Sequence, residues 1–325
     1  MIEIKKHLFP WCVKREWKEL EKNNPLVGPF QSFRFFSLAW KYWYPYVLRS
    51  KHLPIVYELN RGGDVKCLFI GVCKNSGVVL FGNENGHNYC DAVYRDVDAL
   101  QECALALKQK FGKVICYRVM ESSPLYKAVK DHVKVINSHT NVKIEFGDDF
   151  DAYIKTLSKS TRQNLRTAFN RLAKDGHSYR LEVWQGGDKG VKKVYKCCLN
   201  LYARRHEERY GVKTGALKKW FLLHQNFATV NYLKNRDALT FVLFINDEIV
   251  AFMSGVCGRA SQYVVPRLSI NSDYKFYSPG MLLIHETIKY MISNMDIRCL
   301  DLSLGEEEYK YKKGGIAHLT VDFEY

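Results

Sequence analysis

The stretch Arg267-Leu-Ser-Ile-Asn-Ser-Asp-Tyr-Lys-Phe-Tyr-Ser-Pro-Gly-Met-Leu-Leu-Ile284 runs from a strand pattern, through a polar loop, straight into a helix pattern. Ser278 is a good helix N-cap and Pro279 a good first helical residue, because Pro lacks the N–H that would go unsatisfied there. Gly280 has no Cβ and allows a close approach to the backbone. Exposed N–H groups at such a helix start, with the helix dipole behind them, form a cradle for phosphate, and Lys275 can add a positive charge. A capped helix start without a ligand has the same residues, so both readings stand at this point. Down the helix, Met281, Ile284, Ile288 and Met291 recur at core-facing spacing.

Outward from this segment, the second half reads as alternating helices and strands. Phe150–Lys174 is expected to be a helix stopped by Gly176, and Tyr179–Trp184 a strand. Lys192–Tyr210 and Leu217–Phe227 are expected helices. Thr240–Ile245 and Ile249–Val256 form a hairpin about Asn246 and Asp247. Gln262–Ile270 is a strand, Ser278–Asn294 a helix and Arg298–Leu304 another strand. The first half has strand runs at Ile55–Leu59, Lys66–Val72 and Gly77–Phe81, with turns at Gly62-Gly63-Asp64 and Asn75-Ser76-Gly77. A helix at 97–111, with Leu100, Ala104, Leu107 and Phe111 on one face, leads to a strand at 113–119. The fold class is therefore α/β with mixed sheets, expected as two domains, 1–145 and 146–325.

Composition narrows the function. The chain has 325 residues, 47% apolar and 26% charged, which excludes disordered and fibrous classes. No apolar run approaches the roughly 18 residues of a membrane span. The start lacks an apolar signal region, so a cytoplasmic location is expected. The ten cysteines form no Cys-x-x-Cys, and no close Cys/His spacing offers a zinc site, so free buried thiols and no metal are expected. The net charge of +15 favours anionic partners. Much of it lies in Lys155–Asp175 and Lys189–Lys219, which also fit solvated helix faces. Arg162 and Arg166 stand one turn apart on a face away from Leu165, Phe169 and Leu172. They can reach phosphate or water. His206 and His285 read as structural.

The loop Lys275-x-x-Ser278-x-Gly280 resembles the acyl-CoA pyrophosphate loop of the GNAT acyltransferase superfamily, Gln/Arg-x-x-Gly-x-Gly/Ala, with Lys and Ser replacing the first two. Ser160–Leu172, Asn246–Ala251, Tyr277–Gly280 and Asp301-Leu-Ser-Leu-Gly-Glu-Glu-Glu-Tyr-Lys310 occur in the order of the CelD-like branch, related to the FemAB aminoacyltransferases. Pro29–Ser32, Tyr89-Cys-Asp91 and Ser122–Leu125 fit it too. The resemblance implies tandem GNAT-like domains, a degenerate first one and a second that binds the acyl donor. It implies acetyl-CoA or another acyl-CoA as co-substrate, transferred to an amine of an amino sugar, amino acid or small metabolite.

By the same resemblance Leu268, Ser269 and Ile270 polarise the thioester carbonyl, while Lys275, Tyr277, Ser278, Gly280 and Met281 hold the donor. Asp301 becomes general base or substrate anchor, and Tyr309 the acid towards the thiolate. Each also has a structural reading, Asp301 as a carboxylate capping the next turn and Tyr309 as packing. Lys310 is expected either to hold an anionic group or to be solvated, and the acceptor is expected between the domains, with Tyr89 and Asp91 lining its side. Two other functions remain open at this stage. One is a FemAB-like aminoacyltransferase using charged tRNA. The other is a non-catalytic binder of nucleic acid or a membrane surface.

Overall fold

The computed structural model describes residues 2–24, 26–50, 54–74, 77–80, 89–211, 215 and 227–325. Two compact units are present. The first comprises 1–141, 258–260 and 318–325, and the second 142–257 and 261–317. The last eight residues thus join the first unit, although the sequence reading grouped them with the second half.

The first unit contains β1 (Glu3–His7), α1 (Lys14–Asn23), α2 (Phe33–Ser50), β2 (Pro54–Arg61), β3 (Asp64–Lys74), β4 (Gly77–Leu80), β5 (Val93–Tyr94), α3 (Val97–Phe111), β6 (Val114–Met120) and α4 (Pro124–Val129). β7 (Lys134–Glu145) begins in it. β1 to β4 form an antiparallel series, with β5 added beside β3. The β2–β3 turn places Gly62 and Gly63 at positive φ, as a two-residue turn requires. β6 then pairs parallel to β4, with α3 as the crossover helix. Asp96 caps α3 by accepting the Ala99 N–H. Leu100, Cys103, Ala104 and Leu107 bury its inner face against Phe69, Val78, Val114 and Cys116.

The second unit repeats this order. It contains α5 (Phe150–Thr156), α6 (Lys159–Lys174), β8 (Tyr179–Gln185), α7 (Val191–Tyr210), α8 (Phe227–Lys234), β9 (Ala238–Ile245), β10 (Glu248–Cys257), β11 (Gln262–Ile270), α9 (Pro279–Asn294), β12 (Cys299–Leu304) and α10 (Glu308–Lys312). β8 to β11 are antiparallel neighbours, and β12 returns parallel to β11 after α9. β9 is buried throughout because both faces are covered. Its Phe241, Leu243 and Ile245 meet the α9 core, while Val242 and Phe244 pack with Cys198 and Leu201 of α7. The final strand, β13 (Gly315–Glu324), runs antiparallel to β6 and completes the first unit's sheet; β7 lies beside β12.

Several expectations change. The single 150–174 helix is two, because Leu157 is extended and Ser158 caps α6 through the Thr161 N–H. Apolar periodicity continues across such a break and conceals it. The polar loop is a 3₁₀ turn, Ser272–Tyr277, started by Asn271 accepting the Asp273 N–H. Residues 75–76, 81 and 217–226 of the expected elements lie outside those described. Every cysteine is free, and Cys12, Cys73 and Cys197 are exposed rather than buried.

Asp91, expected to line an acceptor site, is used internally. It accepts from the Ser123 hydroxyl at 2.8 Å and the Ala92 N–H at 2.8 Å. Burial pushes its carboxyl up to about 6. The folded state therefore binds this proton more tightly than the unfolded chain, and stability falls as pH rises from about 4 to about 6. Asp91→Asn should raise the urea midpoint above pH 6 and leave it near parental at pH 4.

Candidate functional site

β11 and β12 pair in parallel only at Gln262–Cys299, Tyr263–Leu300 and Val264–Asp301. Beyond Val264 a bulge begins: Ser254 and Val256 of β10 face Arg267 and Val264, so Val265 and Pro266 together oppose Gly255. Pro266 brings no N–H to a ladder and fits such a bulge. Gly255 is required opposite it, since a Cβ there would lie 2.1 Å from the Val264 carbonyl oxygen. No residue beyond Val264 pairs with β12.

The remainder of β11 stays paired with β10, through Arg267–Ser254 to Ile270–Ala251. The Asn271 N–H donates to the Val250 carbonyl, which fixes the phase of the strand. Backbone groups alternate edges along a strand, so the Leu268 and Ile270 N–H groups point away from β10, to the edge β12 has left. Side chains alternate as well. Leu268 and Ile270 pack on the α9 core, as do Leu300 and Leu302 of β12. Ser269, Asp301 and Ser303 take the other face and are buried. The Ser269 and Ser303 hydroxyls, one on each strand, have no hydrogen-bond partner among the described residues. Asp301 accepts the Ser303 N–H at 2.7 Å, and Ser303 sits at φ 58°.

The 3₁₀ turn after β11 is clamped from two helices. From α6, Arg171 donates to the Phe276 carbonyl at 2.7 Å and stacks on its ring; Tyr277 donates to Asp175 at 2.8 Å. From α7, Arg204 pairs with Asp273 at 2.7 Å and Arg205 donates to Ser272, which donates in turn to Glu208. Part of the basic stretches is therefore committed to holding this turn.

The helix start differs from its expected form. Ser278 occupies the left-handed region and its side chain makes no cap. Its carbonyl instead accepts the Met281 and Leu282 N–H groups. That removes Met281 from the expected cradle and leaves the Gly280 N–H, which makes no hydrogen bond among the described residues. A Cβ on Gly280 would stand 3.1 Å from Ile270 Cγ2, so the glycine also brings α9 close to β11. Lys275 is exposed.

Lys310 was expected at an anion, and the structure uses it otherwise. Its buried ammonium donates to the carbonyls of Ser303, Leu304 and Gly305 at 2.7–3.1 Å and pairs with Glu307 at 3.1 Å. Those bonds take all three of its protons. Tyr309 keeps 40% of its surface exposed, yet desolvation and nearby Glu307 hold its hydroxyl well above the usual phenol range. Arg162 caps the end of α5 through the Lys155 and Leu157 carbonyls, and Arg166 is exposed. Tyr89 is in the first unit, its hydroxyl 3.2 Å from His318 Nε2. His285 packs between Phe150 and Phe169, and burial with nearby Lys313 lowers its pKa to about 4. The His206 ring packs on Tyr210.

Sequence reasoning missed Pro266, although a proline inside a strand pattern is itself a bulge signal. It also missed Lys313, which is buried with no hydrogen-bond partner for Nζ among the described residues.

Residues 159–311 match the family model described as "Acetyltransferase (GNAT) domain". The chain carries a GNAT acetyltransferase domain. By that domain it is an acyltransferase. No curated protein matches its sequence. Among solved structures, FemX is 10% identical, with a TM-score of 0.65 over 99% of this chain and 97% of that one. The C-terminal domain of a protein assigned as a lysylphosphatidylglycerol synthetase in Agrobacterium fabrum is 9% identical, with a TM-score of 0.59 over 97% and 92%. A tandem GNAT protein from the clavulanic acid biosynthesis pathway is 9% identical, with a TM-score of 0.50 over 100% and 98%. At these identities the likeness establishes the fold, a FemAB-like tandem GNAT arrangement. No helix among the described residues is long and apolar enough to cross a membrane.

The two buried lysines predict opposite effects. Lys310→Met should destabilise by about 3 kcal/mol, because three carbonyls and Glu307 lose their partner. Burial lowers Lys313 to about 7, so its charged form is disfavoured in the folded state. Stability then rises with pH from about 7 to about 10.5, and below 7 the full penalty applies. Lys313→Met should therefore raise the urea midpoint at pH 6–7, with the gain disappearing towards pH 10.5.

Proposed function

We propose that the protein transfers an acyl group from acyl-CoA to the amine of a small acceptor, with the thioester lying where β11 and β12 part. The observation that carries this reading is the opened strand pair: it presents the unpaired Leu268 and Ile270 amides, and the buried Ser269 and Ser303 hydroxyls flank it. Amides aimed at one edge of a rigid strand can hold a developing oxyanion without reorganising. The Gly280 N–H, at the positive end of the α9 dipole, suits the donor's phosphates. The turn clamped by Arg171, Arg204 and Arg205 keeps that end fixed.

In this reading the acceptor nitrogen attacks the thioester carbon. The carbonyl oxygen takes the charge against the β11 amides, and the carbon–sulfur bond breaks. Asp301, on the wall of the opening, takes the amine proton or anchors the acceptor. Tyr309 retains its proton at neutral pH and supplies it to the leaving thiolate. A second reading, an aminoacyl donor carried on tRNA, draws support from the fold shared with the lysylphosphatidylglycerol synthetase domain and from the +15 charge.

Titration of the full chain with acetyl-CoA, longer acyl-CoA species and charged tRNA separates the two. Gly280→Asp should weaken acyl-CoA binding at least tenfold, while Gly280→Ala, with the same Cβ and no charge, controls for the contact with Ile270. Asp301→Asn should lower turnover by about 10²–10⁴-fold with donor binding retained. Parental acyl-CoA binding by Gly280→Asp would move the donor elsewhere. Stabilisation by charged tRNA and not by acyl-CoA would establish the second reading.

A further inference from the structure

The first unit, expected to be a degenerate partner, contains a linked set of polar side chains that the acyl-transfer reading does not use. The set is built on a second bulge. Val321 and Phe323 of β13 face Val119 and Cys116 of β6, so Tyr117 and Arg118 together oppose Asp322. Arg118 sits at φ 57°. The other non-glycine residues at positive φ among those described are Asn246 and three serines. A long side chain there carries a backbone cost that a small residue or glycine would avoid.

Asp322 is engaged at both oxygens. Its Oδ1 accepts the Arg118 backbone N–H at 2.7 Å, and its Oδ2 lies 2.8 Å from His139 Nε2. Asn141 and Thr320, hydrogen-bonded to each other at 3.0 Å, fix the strands beside this pair. Tyr89 extends the set to His318 through its hydroxyl. The Arg118 guanidinium lies within electrostatic reach of both Asp322 and Tyr89. It nevertheless makes no hydrogen bond among the described residues, and its Nε is fully buried. A guanidinium has five donors in a planar fork; here Nε is buried without an acceptor while the side chain as a whole is half-buried, which leaves the fork's outer donors open to a ligand entering from solvent. Asp322 makes no hydrogen bond to the fork, its oxygens being directed at the Arg118 backbone N–H and the His139 ring.

We propose that the first unit holds an oxyanion-binding site in which Arg118, with His139 and the Tyr89–His318 pair around Asp322, takes a carboxylate or phosphate group of a small ligand. The fork of Arg118 matches two oxygens of either group. Asp322 holds the His139 ring in place through its Nε2 and so fixes a second ring beside the fork. A cation does not fit beside the guanidinium, and no group of residues among those described could hold a metal ion. Asp322 and His318 come from the last eight residues, so the site is complete only when β13 has joined the first unit. The ligand class is new relative to the acyl-transfer reading, and the test needs neither donor nor acceptor, so each can fail without the other.

The test titrates the full chain with inorganic phosphate and, separately, with acetate, using chloride at matched ionic strength as control. The readout is the imidazole proton resonances in NMR, assigned with His139→Gln and His318→Gln. The expected result is a saturable shift of His139 and His318 with at least one anion, and the effective anion identifies the group recognised. Arg118→Gly removes the fork and relaxes the positive φ. It should weaken that anion at least tenfold while melting, without anion, no lower than the parent. Arg118→Gln, which keeps a side chain on the bulge, should lose the anion likewise. Absence of a saturable shift in the parent with either anion, or parental affinity in either Arg118 variant, would overturn the proposal.

Discussion

The parting of β11 from β12 is the constraint around which the second unit is organised. A parallel pair normally continues, because each added residue closes a further ladder bond. Here it ends at Val264 and Asp301, where the bulge of Val265 and Pro266 turns the strand. The surroundings accommodate that interruption. Gly255 clears the space for the bulge, Asp301 holds the Ser303 backbone at a positive φ, and Lys310 gathers the carbonyls that follow. Backbone groups that a continuous sheet would consume are thereby left for other chemistry.

The same economy governs the positive charge. The sequence suggests a broad basic surface open to anionic partners, but several of its arginines have specific internal partners. Arg171, Arg204 and Arg205 hold the turn before α9, and Arg162 closes the joint between α5 and α6. Exposed ion pairs of this kind contribute little stability singly. Their effect is geometric: they restrict one short turn from both sides.

Elements with strong periodicity were legible in the sequence. α3, β11 and α9 follow their apolar spacing closely, since each buries one defined face or lies between two covered ones. The helix break at Leu157-Ser158 was not, because a cap acts through one side-chain oxygen and leaves the apolar rhythm intact. The loop after β11 was located correctly as a strand-to-helix connection, but which of its N–H groups stay unpaired was not. Which N–H groups remain available depends on the left-handed turn at Ser278, a backbone choice that residue identity does not fix. Lys310 shows the same limit. The sequence left Lys310 to an anionic group or to solvent, and only three-dimensional proximity reveals three carbonyls around it. Arg118 was passed over because its strand reads as ordinary buried β-structure.

The membership of residues 318–325 in the first unit bears on how the chain acquires its structure during synthesis. β6 waits for a neighbour that follows it by some two hundred positions, and the whole second unit is translated in between. Closing so long a loop slows folding more than it lowers final stability. At ribosomal speeds of about 5–20 residues per second, the β6 edge stays unpaired for on the order of ten seconds or more. The nascent first unit must therefore persist as an incomplete sheet with an adhesive edge, a state in which chaperone contact matters most.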